Sequence, residues 1–276
     1  MIDTHAHIHD AQFDSDRDAV IRRAHEMGVV KILTIGTNVE ESRKAKAMAG
    51  HYGEVFASVA VHPEEYSKLP SVELCHAWMD GIDALARDAK VVGIGECGLD
   101  YHEFGGIVIT EGQRYAQKAG FLEHLELAVR MQKPIIIHAR QSYDDVYDMV
   151  REYVEKLSGI VMHCYQGDTE ITRKFLDLGE TVAFSFAGNI TYPVKKSFQG
   201  TKDDICETIG IIPIDRILTE TDCPYLAPQE FRGTRNEPSF VFSVARKIAE
   251  VKQISLEAVE RATEENARRY FPMMFV

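Results

Sequence analysis

The sequence predicts a TIM (β/α)8 barrel, a single α/β domain spanning residues 1–276 with its active site at the C-terminal ends of the strands. Three observations predict it. Short β-branched apolar runs alternate with longer amphipathic stretches, which is the pattern of a parallel sheet wound by helices. Eight such runs can be counted. No Gly-rich phosphate loop follows the first, which sets aside an open doubly wound sheet.

The strands are expected at 1–5, 30–36, 55–61, 91–96, 134–138, 159–163, 181–185 and 217–221. Between them the helical patterns cover 15–27, 40–51, 72–89, 112–132, 143–157, 169–178 and 194–209, and two more, at 238–252 and 256–270, follow the last strand. Gly28 and Gly179 stand just past helical segments, where a left-handed residue ends a helix, and Ser15 resembles an N-cap ahead of an acidic first turn.

Apolar residues make up 45% of the chain and charged residues 27%, an ordinary globular balance without repeats or linker tracts. The first residues have neither a basic start nor an apolar stretch of signal length, and no run approaches the ~18 apolar residues of a membrane span. A cytoplasmic location is therefore expected. Five cysteines, an odd number with no CxxC pair, argue against a disulfide framework or a thiolate zinc site. The net charge of −12 excludes broad adhesion to nucleic acid, though bound cations can reverse the sign inside a cleft.

Candidate ligands gather at the predicted strand ends. His5 and His7 close the first strand, His62 follows the third, Glu96 ends the fourth, His138 the fifth and His163 the sixth, while Asp222 lies at the eighth. Because strand side chains alternate between faces, His5 and His7 point the same way and can serve one ion. A lone histidine is more often a satisfied core or surface residue. Several imidazoles and two carboxylates at equivalent strand ends would be costly to bury without a cation. If His163 and Glu96 face inward, Cys164 and Cys97 face the helices as small buried hydrophobes, and His9 falls on a loop.

These residues sit in stretches that resemble the TatD family of metal-dependent deoxyribonucleases, within the amidohydrolase-like barrels. They are Asp3-Thr4-His5-Ala6-His7, Val61-His62-Pro63, Gly93-Ile94-Gly95-Glu96-Cys97-Gly98-Leu99-Asp100-Tyr101, Ile136-Ile137-His138-Ala139-Arg140 and Met162-His163-Cys164-Tyr165. The most specific is Thr219-Glu220-Thr221-Asp222-Cys223-Pro224-Tyr225-Leu226-Ala227-Pro228, followed by Arg232-Gly233-Thr234-Arg235-Asn236-Glu237-Pro238. Two departures border the expected cleft: the segment 102–110, and Gln166 where a Ser is common.

The resemblance implies two divalent ions, with zinc, manganese and magnesium all compatible with N/O ligands. It assigns His5, His7, Glu96 and Asp222 to one ion and Glu96, His138 and His163 to the other. Asp222 would also be the general base and Glu220 would orient a ligand histidine. Arg140, Arg235 and Arg232 are candidates for phosphate, and His62 and His102 for substrate or leaving group. Asn236 reads equally as a helix cap with Pro238 in the first turn. DNA is the expected substrate, with no obligate protein partner. The alternative is acyl hydrolysis, such as a D-aminoacyl-tRNA deacylase, on the same site; a non-enzymatic scaffold is disfavoured by the complete ligand set.

Overall fold

The structure, a computed structural model, describes residues 1–68, 74–103, 108–193 and 205–276. Eight parallel strands lie in sequence order: β1 Ile2–Ala6, β2 Lys31–Ile35, β3 Val55–Val59, β4 Val91–Asp100, β5 Ile135–Arg140, β6 Ile160–Met162, β7 Val182–Phe186 and β8 Ile217–Thr219. Around them run α1 Arg17–Glu26, α2 Val39–His51, the short α3 Pro63–Ser67, α4 Leu74–Ala86, α5 Glu111–Met131, α6 Tyr143–Arg151, α7 Thr169–Asp177 and α8 Ile205–Ile211. After β8 come α9 Val241–Lys252 and α10 Leu256–Tyr270.

Strand alternation divides the core in two. Ile2, Leu33, Phe56, Val92, Ile136, Val161, Ala183 and Leu218, one from each strand, fill the barrel interior, and Tyr270, Phe271 and Met274 from the C-terminal segment pack against them as a floor. The larger cluster packs outward-facing strand residues against the helices, among them Val20, Ala45, Ile82 and Leu125. Two residues farther along the strands, the inward positions turn polar: Ser58, His138, His163, Ser185 and Glu220. The mouth is therefore built from the continuation of the same alternation that makes the floor.

The seam between β8 and β1 is sealed mostly at that mouth. The amide of Asp222 donates to the His5 carbonyl (2.8 Å) and that of His7 to the Cys223 carbonyl (2.7 Å). Below them the Thr221 hydroxyl and amide donate to the buried Asp3 carboxylate (2.6 and 3.0 Å), and the Thr4 hydroxyl donates to the Thr219 carbonyl (3.0 Å).

The boundaries differ from expectation where backbone geometry departs from simple alternation. β4 runs to Asp100 rather than stopping at Glu96, with a register shift against β5 between Ile94 and Cys97. β6 and β8 end before His163 and Asp222, which stand on the loops that follow. Ser15 is not a cap, because α1 starts at Arg17 behind Asp16. Asn236 caps no helix either; its side chain is spent on the loop after β8, as described below. The beginnings of the helices expected at 72–89 and 194–209, and residues 104–107 of the atypical segment, lie outside the described residues. Gly28 (φ 88°) and Gly179 (φ 100°) do end helices in the left-handed conformation.

Candidate metal centre

His5 is fully buried and stacked on His163, with ring centroids 3.5 Å apart and planes 12° from parallel. Neither of its nitrogens has a hydrogen-bond partner of good geometry. Its Nε2 lies 3.2 Å from Glu96 Oε2 and 3.7 Å from Asp222 Oδ1. His7 places Nε2 3.3 Å from Asp222 Oδ1 and 3.9 Å from Glu96 Oε2. The other Glu96 oxygen, Oε1, is 3.0 Å from His138 Nδ1, 3.4 Å from His163 Nε2 and 3.3 Å from His62 Nε2. Glu96 thus stands between two sets of imidazoles with one oxygen toward each.

Hydrogen bonds on the far side of each ring decide which nitrogen keeps a lone pair. His7 Nδ1 donates to the Ile35 carbonyl (3.0 Å), so Nε2 faces the cluster unprotonated in the neutral ring. His163 Nδ1 donates to Glu220 Oε1 (3.0 Å), which also accepts the Cys164 amide (2.8 Å). His138 is held the other way round, with Nε2 donating to Asp100 Oδ2 (3.1 Å) and Nδ1 facing Glu96. His62 is the exception. Its Nδ1 accepts the Glu64 amide at the start of α3 (3.2 Å), so the proton resides on the Nε2 that faces Glu96.

The electrostatics agree. Burial works against charge on Glu96, yet His163 and His62, with hydrogen bonds from His138 and His163, hold its carboxyl well below the usual range. Burial also opposes charge on His138, but Asp100 and Glu96 raise it to about 9, and Glu220 and Glu96 raise His163 well above an ordinary imidazole. His5 goes the opposite way, lowered by burial and by His163. The pocket strongly favours positive charge, while the imidazole at its centre resists protonation. A divalent cation satisfies both conditions.

Glycines set the approach of β4 to β5. Gly95 has φ 156°, and a Cβ there would lie 2.5 Å from that of Ile136, while one on Gly98 (φ 137°) would meet the His138 carbonyl. With no side chain at either position, the strand presses close enough for Glu96 and Asp100 both to reach His138. Asp222 (φ 56°) and Cys164 (φ 43°) are also left-handed, which turns each away from its strand direction.

The structure brings together His5, His7, His62, Glu96, His138, His163 and Asp222, with Glu220 behind His163. Arg140 ends β5, close enough to Asp100 to influence it. His102 follows β4 and, with Asp100, Glu64, Ser67 and Lys68, lines a cavity of about 490 Å³ beside the cluster. Arg235 is not brought to the cluster: it is held bidentately by Asp16 (2.9 and 2.7 Å) and stacks over Phe13. Arg232 lies over the Tyr192 ring, 4.1 Å from its centroid. Cys97 is a buried hydrophobe as expected, but Cys164 is not turned to the helices; the Gln166 and Asn189 side-chain amides approach its sulfur (3.8 and 3.7 Å). His9 is on a loop yet buried, bonded to the Thr34 hydroxyl (2.7 Å).

Sequence reasoning missed Asp100 and Asn236. The Asn236 side chain donates to the Thr221 and Tyr225 carbonyls (2.8 and 2.6 Å), clamping the loop that presents Asp222. Their only signal was membership of the motif stretches.

Comparison with known proteins decides the family. The family model described as "TatD related DNase" matches residues 2–272. The chain belongs to the TatD family. A relative in Bacillus subtilis, "Uncharacterized metal-dependent hydrolase YabD", is 36% identical over 98% of each chain. In Klebsiella pneumoniae, "3'-5' ssDNA/RNA exonuclease TatD" is 33% identical over 98% of this chain and 97% of its own. The solved structure of YjjV, a TatD homologue from Escherichia coli, superposes with a TM-score of 0.85 at 27% identity, covering 99% of this chain and 98% of that one. The matches span nearly the whole of these relatives, and the barrel is shared with the solved homologue. Within the described residues, no helix is long and apolar enough to cross a membrane.

Proposed function

We propose that this chain is a metal-dependent phosphodiesterase that removes nucleotides from single-stranded DNA or RNA, with two divalent ions held across Glu96. What carries the proposal is the division of the imidazole nitrogens: His7, His138 and His163 each anchor one nitrogen on an outer acceptor and turn the other toward the carboxylates, and His5 leaves both buried nitrogens without a hydrogen-bond partner. His5, His7, Asp222 and Glu96 Oε2 would hold one ion; Glu96 Oε1, His138 and His163 the other. Zinc, manganese and magnesium all suit these ligands. The Klebsiella relative's described activity supports the substrate class.

When bound, such an ion pair polarises the phosphoryl oxygen and makes water acidic near neutral pH. Asp222 then accepts the proton of the attacking water at a carboxylate oxygen, kept ionised because His7, His163 and His5 outweigh its burial. His62, with its proton on Nε2, faces the same space and donates to the departing oxygen of the sugar. Arg140, at the end of the strand that carries His138, orients the phosphate. His102 lines the adjoining cavity, where the substrate chain continues. Arg235 braces the Asp222 loop against α1 instead of touching phosphate.

Product analysis tests this on end-labelled single-stranded DNA, duplex DNA and RNA, with each metal supplied to stripped protein. Stepwise shortening of single strands is expected. Aminoacyl-tRNA belongs in the same series, because an acyl hydrolase would use the same groups; deacylation with every phosphodiester intact would overturn the nuclease assignment.

A further inference from the structure

We infer that Tyr225 is a stacking platform that holds the base of the nucleotide being removed, so that the site takes bases free of a duplex stack. The inference rests on the nuclease function proposed above and specifies how that site recognises its substrate. Tyr225 is 52% exposed, although it sits three residues from Asp222. Its ring meets His7 by an edge, centroids 6.1 Å apart at 68°. Its backbone is nevertheless anchored. The Tyr225 amide donates to the Asp222 carbonyl (3.0 Å), and its carbonyl accepts from the fully buried Asn236 (2.6 Å).

A large aromatic surface anchored through its backbone, set edge-on against His7 and left open to solvent at the rim of the mouth is suited to an aromatic ligand. The neighbouring ring Tyr192 is already covered by Arg232, and its hydroxyl is tied to the Ala227 carbonyl (3.0 Å). Among the described residues, no cation or ring lies over the face of Tyr225. A base lying there places its own phosphate within one sugar's reach of His7 and Asp222. Inside a duplex both faces of a base are occupied by its neighbours, so only an unpaired, unstacked nucleotide can use the platform.

The test compares wild type, Tyr225→Ala and Tyr225→Phe on single-stranded DNA whose scissile nucleotide is either intact or abasic. With wild type, removing the base should lower kcat/KM by about 5- to 150-fold, the worth of one base–aromatic stack. Tyr225→Ala should lose a similar factor on the intact strand and nothing further on the abasic one, with metal content unchanged; Tyr225→Phe should restore it. In metal-free protein, 2-aminopurine at that position should be quenched by wild type and Tyr225→Phe but not by Tyr225→Ala. Equal losses on both strands, or no loss on either, would overturn the platform while leaving the nuclease proposal standing. Failure of wild type to cleave either strand, together with hydrolysis of another ester, would overturn both.

Discussion

Asp100 does for His138 what Glu220 does for His163: it accepts the proton of the ring nitrogen turned away from the cluster and so fixes which nitrogen faces Glu96. Asp100→Asn keeps the shape but loses the charge that holds the Nε2 proton. Affinity for the second of two ions should fall about 10- to 100-fold while the first is retained, as read by calorimetric titration of stripped protein. Equal weakening of both ions would show that Asp100 acts on the whole fold instead. Asp222→Asn tests the base: both ions should remain, and single-turnover cleavage should slow by about 10²- to 10⁴-fold. An unaltered rate in a fully loaded variant removes Asp222 from the proton path, leaving the ligand role alone. Glu220→Gln should slow cleavage less than Asp222→Asn, since it touches only a ligand's far side. Seven residues of the cluster were legible because each lies in or just past the C-terminal half of a strand. Asp100 was hidden because β4 runs four residues past Glu96, where the strand was expected to end. Arg235 was misleading because its partner Asp16 lies 219 positions away, a pairing that local sequence does not reveal.

At the scale of elements, α5 anchors the approach to His62. His124 on that helix accepts the Val61 amide at Nε2 (3.1 Å) and donates from Nδ1 to the Gly120 carbonyl (2.7 Å), an arrangement only the neutral ring can make. Burial pushes its pKa down to about 4. The unfolded chain therefore takes up a proton near pH 6.5 that the folded chain refuses until about pH 4, and stability is lost as pH falls through that window. By pH 5 the loss should be about 2 kcal/mol relative to pH 8. His124→Gln preserves both hydrogen bonds without titrating. Urea unfolding of the two proteins should show the advantage of wild type shrinking by that amount between pH 8 and pH 5; a pH-independent difference would refute the assignment. Helix and strand identities were largely legible from periodicity. The five-residue α3 was not, because its start depends on the His62 side chain capping the Glu64 amide. Strand ends were blurred where left-handed residues, Cys164 and Asp222, turn the chain without a glycine to announce it.

For the whole molecule, the division between an apolar interior with its C-terminal floor and a polar mouth predicts that fold and activity can be separated. Exhaustive chelation should abolish turnover but leave the far-ultraviolet circular dichroism of the barrel in place, because the two hydrophobic clusters do not depend on the ions. Restoring metal should raise the melting temperature in a concentration-dependent way. Global unfolding on chelation would make the ions structural. For the nuclease proposed above, a net charge of −12 would confine attraction to nucleic acid to the mouth rather than spread it over the surface. The eightfold alternation made the barrel readable from sequence, whereas its floor was not, since residues past α10 carry no periodic signal.

The bond between Asp3 and Thr221 joins positions 218 residues apart, and the pairing of His5 with Asp222 lies directly above it. Closing the barrel and completing the reactive centre are consequently one event. A chain emerging from the ribosome exposes His5 and His7 early, yet lacks Asp222, the carboxylate nearest His7, until the final strand has been made and docked. For the nuclease proposed above, an unfinished copy would lack Asp222 and so spare the nucleic acids around it. The reactive centre is therefore completed in a single late step of folding.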